Sequence, residues 1–396
     1  MKRALIALFI LLALPALGFA VIAFAVPSDR LVAILEQRID NAAQDSGTAV
    51  SLVGASQLTL FPSIEFTSSL VTLETLPTEV TTGQRTTLES FKVNTSWWQL
   101  ATDSKIVISA DRVTFDPTEA PTETRGLDAI VSRREFTAFE LVWVPTKDGF
   151  SLPILEARLL GGELTSEANI ENGSDERRIS SRGAIDKALA SDVLTVLGSS
   201  IIPSGYVDLN WDIVAVRANN SLAPAEVFGE ATLKGIDLGL SQINLELELC
   251  NAYNRASGQP ITSSVNTSTP IRSLDAIYNL DGYRTDITDL ELAIPGLIVT
   301  GVASIDRSNQ DFDAKLKAII GEGFGEQIPR CNIDKRLSAI EWPVRCRGNL
   351  VEDDPRTWCS VELESLLRRG LESELRQRLN DGGVESLLRS LIPGRT

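Results

Sequence analysis

Paired carboxylates are the first side chains in this sequence that could do chemistry. Asp286 with Asp289, and the neighbours Asp353 and Asp354, could act as acid and base in glycoside cleavage, which needs two carboxyl groups about 5 to 10 Å apart. The chain of 396 residues carries 53 acidic side chains, so such pairs also arise by chance as solvated loop charges. We therefore predict no catalytic residue from them.

The absence of histidine narrows the chemistry further. The sequence contains no histidine, which excludes Ser-His-Asp and Cys-His catalysis and histidine-containing zinc sites. The nucleophile motif GxSxG and the phosphate-binding motifs GxxxxGK and GxGxxG are also missing. We predict no enzymatic activity, no metal and no cofactor. The net charge of −16 would repel a phosphate backbone, so we predict no nucleic-acid partner.

Four cysteines remain as candidates, and their even number favours disulfides. Two structural disulfides are typical of a chain in an oxidising compartment, and a zinc site made of cysteines alone is the weaker alternative because no CxxC pair is present. Three connectivities are open. The candidates are Cys250, Cys331, Cys346 and Cys359.

The N-terminal segment predicts that most of the chain lies in such an oxidising compartment, outside the cytoplasm. Residues 4–26 form an unbroken apolar run of 23 residues behind Lys2 and Arg3. As a helix this run would be about 35 Å long, enough to cross a bilayer core. The two basic residues would keep the N-terminus in the cytoplasm. A cleaved signal peptide ending at the small-x-small sequence of residues 23–25 is the alternative. Both interpretations place residues 27–396 outside the cytoplasm.

Alternating apolar and polar residues predict strands through most of the remaining chain. The clearest runs are INLELEL at 243–249 and VDLNWDI at 207–213, and strict alternation is typical of an antiparallel sheet with one apolar face. Weaker runs separated by turn residues lie at 106–115, 139–143, 287–294 and 297–305.

Helices are predicted only near the two ends of the chain. Apolar residues recur at helical spacing in 29–43, and leucines recur every four residues from Leu363 to Leu379. We therefore divide the chain into a cytoplasmic N-terminus (1–3), a transmembrane helix (4–26), a short amphipathic helix and entry segment (27–49), an N-terminal β-rich part (50–225), a C-terminal β-rich part (226–360) and an amphipathic helical tail (361–396).

Two adjacent tryptophans follow one of the strand-like runs. Trp97 and Trp98 could stack on a sugar or lie at a membrane interface, and packing in the core is the simpler interpretation. The apolar face of the sheet has two interpretations as well. It is either the inside of a sandwich or a partly open groove for acyl chains.

The order of these features resembles the AsmA family of Gram-negative bacteria, which is related to AsmA-like, TamB and chorein-type bridge proteins. The membrane helix is followed by GASQLTLFPSIEF at 54–66, which is similar to the family's N-terminal signature. Residues 228–252, 274–318 and 340–369 resemble its C-terminal elements, the last through IEWPVRCRGNLVEDDPRTWC. The resemblance implies a mainly β fold, a long curved antiparallel sheet with an apolar inner groove, here closed by the C-terminal helices.

The resemblance also implies a function. We expect a single-pass protein of the bacterial inner membrane, with most of the chain in the periplasm, that acts in outer-membrane biogenesis by passive phospholipid transfer. A scaffold for outer-membrane protein assembly, which would bind an outer-membrane protein or an assembly factor, is the alternative, and a cell-wall hydrolase is the third. The residues expected to line the groove are Val207, Leu209, Trp211, Ile213, Ile243, Leu245, Leu247 and Leu249.

Overall fold

The computed structural model describes residues 48–75, 84–102, 105–117, 134–196, 204–219, 225–240, 244–256, 259–261, 268–325 and 340–350, together with 328, 331, 333, 353 and 357–361. The predicted transmembrane helix, the helix at 29–43 and the leucine-rich tail from Leu363 lie outside these residues. Within them, no helix has the length and apolar character needed to cross a membrane.

The described part of the chain is mainly β, as predicted, with strand order following chain order. It forms two compact units, the first containing β1 to nearly all of β9 and the second β10 from Glu230 onward. The predicted boundary between the β-rich parts stays a prediction. The first unit contains β1 (Thr48–Thr59), β2 (Ser63–Thr75), β3 (Gln84–Ser96), α1 (Trp97–Thr102), β4 (Ile106–Pro117), β5 (Arg134–Thr146), β6 (Gly149–Leu159), β7 (Gly162–Asn172), β8 (Glu176–Leu189), α2 (Ala190–Val196) and β9 (Tyr206–Ala218).

The second unit repeats the same up-and-down plan. Its neighbouring strands from β11 to β16 pair antiparallel, as do β1 to β8 in the first unit. Its elements are the part of β10 (Glu226–Leu240) from Glu230 onward, α3 (Leu245–Ala256), β11 (Thr269–Asp281), β12 (Arg284–Ile294), β13 (Leu297–Asp306), β14 (Asp311–Ile320), β15 (Glu341–Asn349) and β16 (Cys359–Val361).

Turn chemistry sets where several strands end. Leu160 and Gly161 join β6 to β7, and both have positive φ, 53° and 78°. Two consecutive residues of positive φ are typical of a type I′ turn, a favoured two-residue hairpin loop whose backbone twist matches that of the flanking strands. The loop fixes the register in which Leu159 lies opposite Gly162.

Residues other than glycine take positive φ inside several strands. Ser90, Ala138, Lys187, Asp237 and Asp289 lie inside strands with φ between 50° and 56°. The pairing register shifts around Ala138 and around Asp289, which marks these two positions as bulges. A bulge bends its strand and increases the local twist, so β5 and β12 are bent at these positions.

The run at 243–249 was predicted as a strand, and this prediction is wrong for Leu245, Leu247 and Leu249, which lie in α3. Leucine and glutamate are strong helix formers, and glutamate is unfavourable in strands. Asn244 also caps the helix, since its side-chain oxygen accepts a hydrogen bond from the Leu247 backbone nitrogen at 2.8 Å. These local preferences outweigh the alternating pattern. Ile243 lies outside the described residues.

Candidate functional site

A continuous row of apolar side chains crosses six strands of the first unit. Each member is the direct cross-strand partner of the next, from β1 to β6. At a strand spacing of about 4.8 Å the row is about 24 Å long. We call it the inner row, and its members are Leu52, Val71, Leu88, Val113, Phe136 and Leu159.

Most of the inner row is buried. Val113 is only 2% exposed, and Leu52 and Phe136 are half-buried. Among the residues that the structure describes, those that pack around Val113 belong to strands. The pairing register shifts at Ala138 in β5, and a bulge of this kind bends its strand.

Aromatic rings pack against one another beside the inner row. Phe136 makes edge-to-face contacts with Phe115 and Phe139, with ring centroids 5.6 and 6.4 Å apart. Phe136 and Phe139 are three residues apart, which would put them on opposite faces of a regular strand. The bulge at Ala138 supplies the extra residue that returns Phe139 to the inner face.

The opposite face of the same strands is charged. Arg112 forms ion pairs with Glu89 and Glu135, at 3.6 and 2.8 Å, and Arg85 pairs with Glu74 at 3.2 Å. Exposed pairs of this kind add little stability. They mark this face as the one in contact with water, so one sheet separates an apolar side from an ionic side.

The apolar face continues to β9, where four of the predicted groove residues lie. Trp211 packs against the cluster of Ala157, Leu159 and Leu164, and its Nε1 donates a hydrogen bond to the Ser181 hydroxyl at 3.0 Å. The period of two puts the other three predicted residues on the same face of β9, and their contact with lipid stays a prediction. These residues are Val207, Leu209 and Ile213.

Gly183 makes room for the Trp211 ring. A Cβ at position 183 would lie 2.5 Å from Cζ2 of Trp211 and 2.6 Å from the Thr165 carbonyl oxygen. On the other face of these strands, Arg182 forms an ion pair with Asp212, which raises the pKa of the guanidinium. The strand alternation therefore holds: the indole faces the apolar side and the neighbouring aspartate faces water.

In the second unit, α3 lies against the apolar residues of the sheet. Tyr253 contacts Trp342, with ring centroids 6.4 Å apart, and the Trp342 side chain is completely buried. Leu249 is buried too, and burial raises the pKa of the Glu246 carboxyl. The three leucines predicted to line a groove strand instead belong to a helix. Their contact with lipid is untested, and the structural role of Leu249 is packing.

Both predicted disulfides are present. Cys250 of α3 pairs with Cys331, and their Cα atoms are 5.5 Å apart. Cys346 and Cys359 are direct cross-strand partners on β15 and β16, and they form the second bridge. No cysteine is free. Within the second unit, one bridge therefore ties α3 to Cys331 and the other ties β16 to β15.

Two of the four carboxylates considered as an acid and base pair have structural partners. Asp286 forms an ion pair with Arg284 at 2.9 Å, and Asp353 accepts a hydrogen bond from the Asn349 backbone nitrogen at 2.7 Å. Asp289 is exposed at a bulge, and Asp354 lies outside the described residues. Where side chains are described, no cluster of three or more acidic or cysteine residues could hold a metal ion.

The inner row was missed at the level of sequence. The row contains one residue from each strand, and the positive-φ residues Ser90 and Ala138 break the period of two that would identify the inner face of β3 and β5. Neither position is a glycine that would have signalled the change. The only usable signal was the recurrence of Leu, Val and Phe near the middle of these strands.

Comparison with known proteins shows a distant similarity to one curated protein. No family model matches the chain, and no solved structure matches it. Protein AsmA of Escherichia coli (strain K12) is 21% identical over 236 residues, which cover 57% of this chain and 36% of that protein. The chain therefore aligns with little more than a third of its relative. This similarity makes the chain a distant relative of AsmA and supports its membership of the AsmA family.

Proposed function

We propose that this chain is an inner-membrane-anchored periplasmic protein that moves phospholipid passively along the apolar face of its first unit, in outer-membrane biogenesis and without a catalytic step. The observation that carries the proposal is the inner row, a run of apolar side chains that crosses six strands without a polar interruption. The distant similarity to AsmA agrees with a role in the envelope.

The dimensions of the inner row suit an acyl chain. An extended acyl chain covers about half of a bilayer core of roughly 30 Å, and the row is about 24 Å long. Each buried CH₂ contributes about 0.8 kcal/mol in lipid and against apolar side chains alike. An acyl chain that moves from the bilayer onto the half-buried side chains of this face, such as Leu52, Phe136 and Phe139, therefore loses little free energy while its headgroup stays in water.

Site-specific photocrosslinking tests this proposal. Benzoylphenylalanine replaces Phe139 on the inner face in one variant and Glu140 on the outer face in its matched control, and each full-length variant is irradiated in cells. We expect phospholipid adducts, identified by mass spectrometry, from position 139 and none from position 140. Equal labelling at both positions, or no lipid adduct at 139 in a folded protein, would contradict lipid transfer along this face.

The scaffold function keeps one observation in its favour. In the described part of the sheet, β1 pairs with β2 alone, so one edge of β1 presents backbone groups to which a partner strand could add. The same crosslinking experiment separates the two functions. Protein adducts from a benzoylphenylalanine at Val53, an exposed residue of β1, without lipid adducts at Phe139 would favour the scaffold.

A further inference from the structure

Two large aromatic side chains point into solvent at one end of the first unit. Phe61 is 75% exposed in the turn between β1 and β2, and Trp98 is 76% exposed in α1, directly after β3. The strand partners Ser63 and Ser96 bring these two segments to the same end of the sheet. We call residues 60–62 and 97–102 the aromatic platform. The expectation that both tryptophans pack in a core is wrong for Trp98.

Hydrogen bonds hold the aromatic platform together. Trp97 Nε1 donates to the Leu60 carbonyl oxygen at 2.7 Å and so fastens α1 to the turn. The Gln99 backbone nitrogen donates to the Ser96 hydroxyl at 3.0 Å, and the Ser96 backbone nitrogen donates to the Gln99 side chain at 3.1 Å. This reciprocal pair is a capping box, which fixes the first turn of the helix. The two rings are therefore exposed on a rigid support.

The composition of the aromatic platform is uncharged. No acidic or basic residue occurs in 60–63 or in 96–102, although the chain as a whole has a net charge of −16. A single exposed apolar residue is normal, whereas two large rings on one neutral, rigid support mark a contact surface. Aromatic rings flanked by neutral polar groups are the composition that favours the headgroup region of a bilayer, where the indole ring is apolar and its N–H is hydrated.

The position of the aromatic platform in the chain indicates which bilayer it meets. β1 begins at Thr48, which comes 22 residues after the apolar run that ends at Val26, and the aromatic platform lies at the other end of this 12-residue strand, about 40 Å away. That run has the length and composition of a membrane span. The residues between Val26 and Thr48 can extend over about 70 Å, so a span at 4–26 would leave the aromatic platform within reach of the same membrane surface.

We propose that the aromatic platform inserts Phe61 and Trp98 into the headgroup region of the bilayer that carries the chain's own N-terminal segment. The inference rests on the membrane anchor of the proposed function but not on lipid transfer. A second contact besides the anchor would limit rotation of the first unit and hold its early strands at the lipid surface. Because the aromatic platform is neutral, its insertion needs no anionic lipid.

Tryptophan fluorescence in reconstituted vesicles tests the insertion. The full chain is placed in phosphatidylcholine vesicles with ordinary or brominated acyl chains, and the spectrum of Trp98→Phe is subtracted from that of the wild type. We expect the difference emission from Trp98 to lie at short wavelength, to be quenched by bromine, and to stay unchanged when phosphatidylglycerol is added. The variant Phe61→Ala should shift the ratio of inserted to free platform about tenfold toward free.

A second tryptophan separates this inference from the proposed function. The difference spectrum from Trp211→Phe reports the apolar face of β9, which bromine reaches only if acyl chains enter it. Quenching at Trp98 without quenching at Trp211 supports the aromatic platform and contradicts lipid binding at β9. Water-like, unquenched emission from Trp98, or shielding of Trp98 only when a protein partner is bound, would overturn membrane insertion whatever happens at Trp211.

Discussion

Removal of the bridge between Cys250 and Cys331 should destabilise the second unit more than removal of the other bridge. The two cysteines are 81 residues apart in the sequence, whereas Cys346 and Cys359 are 13 residues apart. A disulfide restricts the unfolded chain in proportion to the logarithm of the loop it closes. The expected losses in free energy of unfolding are about 4.5 kcal/mol for the long loop and about 3 kcal/mol for the short one.

The measurement compares two double variants of the full chain, Cys250→Ala with Cys331→Ala and Cys346→Ala with Cys359→Ala. Urea unfolding is followed by hydrogen exchange in peptides from β13 to β15, because both bridges belong to the same unit and the same transition should report both. The two loops do not overlap in sequence, so the two losses should be nearly additive.

Packing of the sulfur atoms must be separated from the effect of the loop. Cys250 is completely buried, so its replacement by alanine also removes contacts. The two variants and the wild type are therefore unfolded again in the presence of a reductant. None of the three proteins then has a disulfide, so the remaining difference in free energy of unfolding comes from packing alone. Equal losses for the two bridges after this correction, or a larger loss for the shorter loop, would refute the argument from loop length.

Three further predictions follow from single residues. Val113→Ala should lower the free energy of unfolding by about 2 kcal/mol, whereas Thr114→Ala on the outer face should lower it by less than about 0.5 kcal/mol. Equal effects in urea unfolding would contradict the burial of the inner row. Ala138→Gly should stabilise by about 1 kcal/mol, because alanine is strained at a φ of 50°; a loss of stability would argue against the bulge. Hydrogen bonds from the Ser308 hydroxyl and backbone nitrogen lower the pKa of Asp306, so Ser308→Ala should raise that pKa in a carbon NMR titration. The stability contributed by this carboxylate is present at neutral pH and is lost as the pH falls through its lowered pKa; an unchanged Asp306 pKa would contradict this role for Ser308.

The strands were predictable where their period is uninterrupted. The run from Val207 to Ile213 lies within β9, and the run from Leu297 to Ile305 lies within β13. In the first run one face is apolar and the other polar, and in the second Leu297 and Val299 form a buried face, so the pattern alone indicates the fold class. The pairing of the cysteines was not predictable, because three connectivities fit four cysteines and only the positions of α3 and of Cys331 in the folded chain select one.

The inner row and α3 show two ways in which the pattern failed. At Ala138 the backbone takes a conformation that the side chain gives no reason to expect, so two phenylalanines three residues apart share a face. In INLELEL the alternation is real, but every residue from Leu245 to Leu249 is a good helix former and Asn244 starts the helix. Periodicity is decisive only where propensity and backbone geometry agree with it.

The helix α3, which replaces the predicted strand at 243–249, changes where lipid contact is to be expected. In the second unit this helix, held by the bridge from Cys250, packs on Trp342 and takes apolar surface of the sheet out of contact with solvent. In the first unit the described helices α1 and α2 follow the ends of strands, and the described residues of the clusters around Val113 and Leu159 belong to strands and one hairpin loop. A sliding acyl chain needs apolar surface that no helix occupies. Among the described residues this requirement favours the first unit over the α3-covered part of the second.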